Sequence, residues 1–166
     1  MKRRAACILA LTTAVLLSAC GYQLRGSYGQ AGLPFNTIYL GVPETSPLGI
    51  ELRRYIRASG ETTVVNDPKA AQAIVEVLAE SREKATLLNT QGRPREHTLY
   101  YKLRFRVKDS KDKELLPATE ITLKREISFN EAQAIAKEKE EEMLYRDMQS
   151  DLVQQILRRL ASLKSA

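Results

Sequence analysis

The sequence predicts an α+β domain: a two-layer sandwich whose mainly antiparallel four-stranded sheet carries two helices on one face, in the order β-α-β-β-β-α. Three observations predict it. Leu99, Tyr101, Leu103, Phe105 and Val107 alternate without a fault with Tyr100, Lys102, Arg104, Arg106 and Lys108, the period of a strand that buries one face only. From Asn130 to about Leu163 there is no glycine or proline, and Leu144, Met148, Leu152, Ile156, Leu160 and Leu163 recur at spacings of three and four, the stripe of an amphipathic helix. A shorter stripe of the same kind, Leu48, Leu52, Tyr55 and Ile56, follows a β-forming run. One apolar sheet face and two apolar helix stripes close a single core when both helices lie on that face.

Taken in order, Thr37 to Val42 is a run of β-forming residues stopped by Pro43, and reads as the first strand. Ser46 before Pro47 supplies an N-cap followed by proline at the first helical position, and Gly60 stands where a C-terminal glycine belongs. The first helix therefore spans Pro47 to Ser59, with Arg53, Arg54 and Arg57 outward. Thr62 to Val65 is a short strand or an extended lead-in, broken by Asn66-Asp67-Pro68. Ala73 to Leu88 reads as a long strand with Val75, Val77 and Ala79 on one face and Glu76, Glu80, Arg82 and Lys84 on the other; Ile74 and Leu78 interrupt the alternation.

The polar stretch Asn89 to Arg95, with Gly92 and Pro94, is the loop of a hairpin leading into the alternating strand. Asp109 to Glu114 is a second polar turn, and Glu120 to Phe129 a strand with Ile121, Leu123, Ile127 and Phe129 inward. Arg125 falls on that inward face, which predicts a bulge or an inward edge charge that blocks further pairing. Asn130 and Gln133 make a capping box for the last helix. Every residue from Lys137 to Glu142 is charged, so that part is solvated or faces a polar partner. A helix this long, at about 1.5 Å per residue, outruns an ordinary strand and predicts one projecting end.

Ahead of the domain, Met1-Lys2-Arg3-Arg4 precedes an uncharged, mostly apolar run from Ala5 to Leu17, and Leu17-Ser18-Ala19-Cys20 closes it. That layout is a secretory signal peptide, and the cysteine directly after Leu-x-small makes it a bacterial lipoprotein signal. The run is too short for a transmembrane span of about 20 residues. Residues 1–19 are thus read as the signal peptide and 20–35 as the lipidated N-terminus and a glycine-containing tether. Residues 36–166 form one α+β domain. An acylated Cys20 resembles the anchors of other bacterial lipoproteins, which carry three chains; two already bind a membrane stably. Gly21, rather than Asp, resembles the outer-membrane side of the sorting rule of many Gram-negative bacteria.

The 166 residues carry a formal charge of +6, and removing Lys2, Arg3 and Arg4 with the leader leaves +3, enough for one ordinary domain but too mild a charge to define a partner. Cys7 leaves with the leader and Cys20 is consumed by lipid, so no thiol remains for a disulfide, a metal or a nucleophile. His97 is the only histidine. No metal-ligand spacing, catalytic constellation or glycine-rich phosphate loop is present. The chain is read as a non-enzyme without cofactor or metal.

Binding chemistry is left to the cations. Lys102, Arg104, Arg106 and Lys108 form an outward ladder about 6.6 Å apart, suited to a multiply anionic partner, unless Glu76, Glu80, Glu120 and Glu126 neutralise it as cross-strand pairs. Arg93 and Arg95 in the hairpin loop lack obvious partners, and loops held by a rigid sheet are where binding residues sit. Lys137 lies beside the apolar Ala132, Ile135 and Ala136, which suits an acyl-bearing phosphate; alternatively it pairs with Glu141 at i,i+4. A nucleic-acid module would need several outward stacking aromatics; Tyr100 alone qualifies, and export removes the ligand.

The start Cys20-Gly21-Tyr22-Gln23-Leu24-Arg25-Gly26, the run Asn130-Glu131-Ala132-Gln133-Ala134-Ile135-Ala136-Lys137-Glu138, Tyr145-Arg146-Asp147-Met148 and Gln155-Ile156-Leu157-Arg158-Arg159-Leu160 resemble the lipopolysaccharide-assembly lipoprotein LptE (rare lipoprotein B) family over the whole mature chain. The resemblance implies an outer-membrane lipoprotein, facing the periplasm and lying within the barrel LptD, that plugs the barrel, assists its assembly and binds lipopolysaccharide. It places the family's basic helix residue on Lys137 and its basic loop residue on Arg93 or Arg95. The chain ends at Ala166, without the polar tail of some members. An accessory, pilotin-like lipoprotein for another barrel or secretin would share the anchor and the small domain.

Overall fold

The computed structural model describes residues 32–163. The signal segment, Cys20 and the tether up to residue 31 lie outside the described residues, as do residues 164–166. Five strands and two helices follow one another: β1 (Thr37–Gly41), α1 (Pro47–Ser59), β2 (Thr63–Val65), β3 (Ala73–Leu88), β4 (Pro94–Lys108), β5 (Glu114–Ser128) and α2 (Ala134–Ala161). The sheet order is β2-β1-β3-β4-β5. The α+β sandwich is the predicted one, with one strand more: Thr63–Val65 pairs in parallel with β1 rather than merely leading into β3. The β1–β3 pair is also parallel, and the long β3-β4-β5 meander is antiparallel.

The helix ends follow their sequence signals at α1. Ser46 caps it by accepting from the Gly49 amide, and Gly60 closes it in the left-handed conformation at φ 74°. At α2 they do not. Asn130 accepts from the Ala132 amide at 3.0 Å, but what it caps is a 3-10 turn, Glu131–Gln133, and α2 then starts at Ala134 with no side-chain cap. The capping box is absent because the 3-10 turn stands between Asn130 and the helix.

One core lies between the sheet and the helices. Leu99, Tyr101, Leu103, Phe105 and Val107 are fully buried on β4, against Leu48, Leu52 and Ile56 of α1 and Met148, Leu152, Ile156 and Leu160 of α2. The stripe of α2 buries only its C-terminal half; Ala134–Ala136 are exposed. The helix is no longer than the longest strand, since 28 residues span about 42 Å and the 16 residues of β3 about 50 Å. Its bare first turns hold small and charged residues and one exposed isoleucine, Ile135.

Two irregularities in the β3–β4 ladder decide which side chains face where. Val77 lies opposite Phe105 and Ala79 opposite Arg104, so Leu78 is an inserted residue, a β-bulge. Directly opposite residues share a face. Beyond the bulge Glu80, Arg82 and Lys84 therefore stand opposite Leu103, Tyr101 and Leu99, on the helix side, contrary to the outward placement predicted from alternation. A second shift leaves Arg95 as the extra residue between Pro94 and Glu96. Arg95 thus belongs to β4 and not to the loop. Arg125 needs no bulge: it pairs in register with Leu99 on the edge strand and reaches Asp151 of α2 at 2.6 Å, the inward edge charge that was one of its two predicted explanations.

Truncation tests this division of α2. Ile156→Ala, at a fully buried position, is expected to cost about 2–5 kcal/mol, whereas Ile135→Ala, 75% exposed, is expected to stay within about 0.5 kcal/mol. Urea unfolding followed by circular dichroism distinguishes the two.

Candidate ligand-binding site

The three candidate cations converge at one end of the molecule. The β3–β4 turn is held by Asn89, whose side-chain oxygen accepts from the Gln91 and Arg93 amides at 2.9 and 3.0 Å, while its own amide donates to the Arg93 carbonyl at 2.8 Å. Gly92 takes φ 74°, which few other residues adopt. The β4–β5 turn repeats the device, with Asp109 accepting from Lys111 and Lys113 and Asp112 at φ 61°. Arg93 therefore sits on a fixed backbone, not a loose loop.

Strand pairing brings Lys137 to the same end. The Phe129 amide donates to the Arg95 carbonyl at 2.9 Å, and Ser128 lies opposite Glu96. From the first turn of α2, Lys137 Nζ reaches Ser128 Oγ at 3.3 Å and Glu140 at 2.9 Å. Its expected partner Glu141 is taken by Lys84 of β3 at 2.9 Å. Lys137 keeps only 18% of its side chain exposed. Arg93 and Arg95 are exposed and form no ion pair among the described residues.

The outward ladder is mostly neutralised. Glu76 takes both Arg106 at 2.7 Å and Lys108 at 2.8 Å, and Glu83 takes Lys102 at 2.8 Å. Hydrogen bonds from Lys108 and then Arg106 hold the Glu76 carboxyl below the usual range despite partial desolvation, and Lys102 does the same for Glu83. Glu80 is not part of this, because the bulge turned it to the other face. Arg104 alone of the four has no ion pair among the described residues. Four adjacent cations that alternation suggested as a phosphate-binding face are mostly a structural charge lattice.

On the helix side the same bulge assembles a polar chain that alternation hid. Tyr101 donates to Glu80 at 2.5 Å; Arg82 donates to the Tyr101 oxygen at 3.2 Å and to Gln149 of α2 at 3.3 Å. Gln149 donates to Glu51 of α1 at 2.8 Å, and Ser150 donates to the same carboxylate at 2.7 Å. The Arg82 guanidinium also lies 4.7 Å over the Tyr101 ring and 5.5 Å from that of Tyr145. This chain fixes α2 over the hairpin, and so sets where Lys137 stands relative to the arginines.

A family model described as LptE, lipopolysaccharide-assembly, matches residues 35–160. Three solved structures are similar. A solution structure of an uncharacterized lipoprotein B from Nitrosomonas europaea is 40% identical over 86% of this chain and 91% of its own, with a TM-score of 0.72. The rare lipoprotein B of Shewanella oneidensis is 27% identical over 76% and 95%, with a TM-score of 0.65. A minor lipoprotein of Acinetobacter baumannii, 24% identical over 79% and 96% with a TM-score of 0.63, shares the fold. No curated protein matches the chain. Among the described residues no helix is long and apolar enough to cross a membrane.

The polar chain beneath α2 has a measurable signature. Burial, and then the hydrogen bond to Glu80, push the Tyr101 hydroxyl up to about 12. A group whose folded value is raised stabilises the fold fully below its unfolded value, about 10, and the contribution is lost as pH rises toward 12. Burial also raises the Tyr145 hydroxyl, so ultraviolet titration is expected to show a late-titrating phase that loses one tyrosine, but does not vanish, in Tyr101→Phe. Stability of the unsubstituted protein should fall over that same window more steeply than that of the variant.

Proposed function

Because the chain belongs to the LptE lipopolysaccharide-assembly family, we propose that it is an outer-membrane lipoprotein, acylated at Cys20 and facing the periplasm. It plugs the LptD barrel, assists that barrel's assembly, and binds lipopolysaccharide on its way to the outer leaflet. Residues 1–19 are the signal peptide, 20–35 the lipidated N-terminus and tether, and 36–166 the domain. The role is non-catalytic. A rigid domain with a charge-latticed outer face suits the polar interior of a membrane barrel.

One observation carries the ligand reading: folding gathers Arg93, Arg95 and Lys137 at one end although they come from a turn, a bulge and a helix start. Arginine forks and a lysine ammonium bind phosphate by charge-assisted hydrogen bonds. Arg93 and Arg95, exposed and without an internal ion pair, form the entry contacts. Lys137, which must exchange Glu140 for phosphate, completes the site. The Asn89-braced turn keeps the entropic cost of ordering low.

Two outcomes are expected. Arg93→Ala, Arg95→Ala and Lys137→Ala combined should lower lipopolysaccharide affinity by about a hundredfold or more, since a hydrogen bond to a charged group contributes about 1.5–3 kcal/mol. Co-purification with LptD from membranes should persist, because the three residues lie at one end only; unaltered lipopolysaccharide binding would refute the assignment. Cys20→Ser should remove the acyl groups seen by mass spectrometry of the N-terminal peptide and release the protein from the membrane fraction.

A further inference from the structure

The end of the molecule that gathers the cations also gathers uncovered apolar side chains. Leu87 and Leu88 close β3 at 57% and 60% exposure, and Ile135, two residues before Lys137, is 75% exposed. The leucines are successive in β3, and at the second shift the extra residue, Arg95, belongs to β4, so they point to opposite faces of the sheet. Leu87 shares the outer row with Glu96 and Ser128, while Thr86 shares the inner row with His97 and the buried Ile127. A strand end that is apolar on both faces cannot be satisfied by a helix packed on one. Among the described residues nothing covers either leucine.

The shape around them selects the occupant. The polar turn Asn89 to Arg93 lies beyond the leucines, at the outermost point of the hairpin. Pushing the tip into a bilayer would bury that turn before the leucines touched acyl chains, at the cost of desolvating its backbone and Arg93. A single amphipathic lipid does not meet this obstacle. Its phosphates sit at the turn on Arg93 and Arg95, and its acyl chains run back along the flanks of the hairpin, over Leu87 on one side and over Leu88 toward Ile135 on the other.

Resting on the ligand reading given above, we propose that Leu87 and Leu88 are the acyl-chain contacts of the site, so that the hairpin end is straddled by the acyl chains of one phosphorylated glycolipid. The site then discriminates acylated from deacylated ligand, and discrimination resides in the leucines while phosphate affinity resides in the cations.

The test uses the full-length acylated lipoprotein in living cells, with a photoreactive benzophenone side chain placed in turn at positions 87, 88 and 93, and at Ile50 as an equally exposed apolar control, 55% exposed. The probe is the cell's own lipopolysaccharide, and adducts are identified by mass after mild alkaline removal of ester-linked acyl groups. Positions 87 and 88 are expected to retain a fatty-acyl mass, position 93 a phosphosaccharide mass, and position 50 nothing. An adduct at 93 with none at 87 and 88, or a saccharide mass without any acyl mass at the leucines, overturns the acyl assignment and leaves the phosphate site standing. No adduct at any of the three tip positions overturns both. In parallel, Leu87→Ser with Leu88→Ser should reduce the affinity for diphosphorylated lipid A by about tenfold per leucine. It should leave the affinity for the fully deacylated disaccharide bisphosphate unchanged. Equal affinity of the double variant and the unsubstituted protein for the acylated form refutes the proposal.

Discussion

The inserted residue at Leu78 turns the outer half of β3 over, and the contacts that hold α2 above the hairpin follow from it. Without the insertion, Glu80, Arg82 and Lys84 would face away from the helices and Ser81 and Glu83 would face them. With it, Arg82 reaches Gln149, Lys84 reaches Glu141, and Glu83 is delivered to Lys102 on the opposite face. A bulge locally sacrifices ladder regularity. Here it converts a strand that would have been polar on the wrong side into one whose charges all find partners, and it anchors a long helix whose own N-terminal third has almost nothing apolar to bury.

That pairing scheme explains why the proposed binding cations lie at one end. Glu76 and Glu83 neutralise most of the β4 cations, and Asp151 engages Arg125. Exposed pairs of this kind add little stability, but they remove net charge from the broad face of the sheet. Arg93 and Arg95 lie past the last acidic partner on β3, and a rigid turn holds them there. Apart from Arg104, the cations of β4 and the β3–β4 turn without an ion pair among the described residues are the ones the lattice stops short of reaching.

Much of this was legible in the residues. The unbroken alternation from Leu99 to Val107 fixed β4, Ser46-Pro47 and Gly60 marked both ends of α1, and the stripe from Leu144 to Leu160 marked the packing half of α2. What alternation could not show was its own phase after Leu78. A one-residue slip sends every later side chain to the other face; Leu78 interrupts the alternation, but so does Ile74, which is in register, and Arg95 gives no sign of an insertion at all. The stretch Thr62 to Val65 stays open between a short strand and a lead-in for another reason: the three residues of β2 are too few to display a period. At the site, Arg93, Arg95 and Lys137 were identifiable as cations without settled partners, but their convergence depends on Ser128 lying opposite Glu96, which is a matter of register.

The same register separates the two ends of the molecule. The chain enters the domain at Phe35 and Asn36, whose carbonyls accept from Thr62 and Thr63 and whose neighbour Gln72 directly precedes β3. The hairpin tip lies at the far end of that strand, about 50 Å away for a regular strand of its length. If Cys20 is acylated as proposed, the point where the chain enters the domain and the end that carries Arg93 and Arg95 lie at opposite ends of the long axis of the sheet. A lipid-tethered domain built like this cannot bind, with its tip, lipid of the leaflet that holds its own anchor unless the tether folds back alongside the sheet. Set upright, it presents Arg93 and Arg95 away from that leaflet. Under the proposed function, this is the orientation that lets a domain standing inside a barrel meet its ligand beyond the membrane surface that holds its anchor.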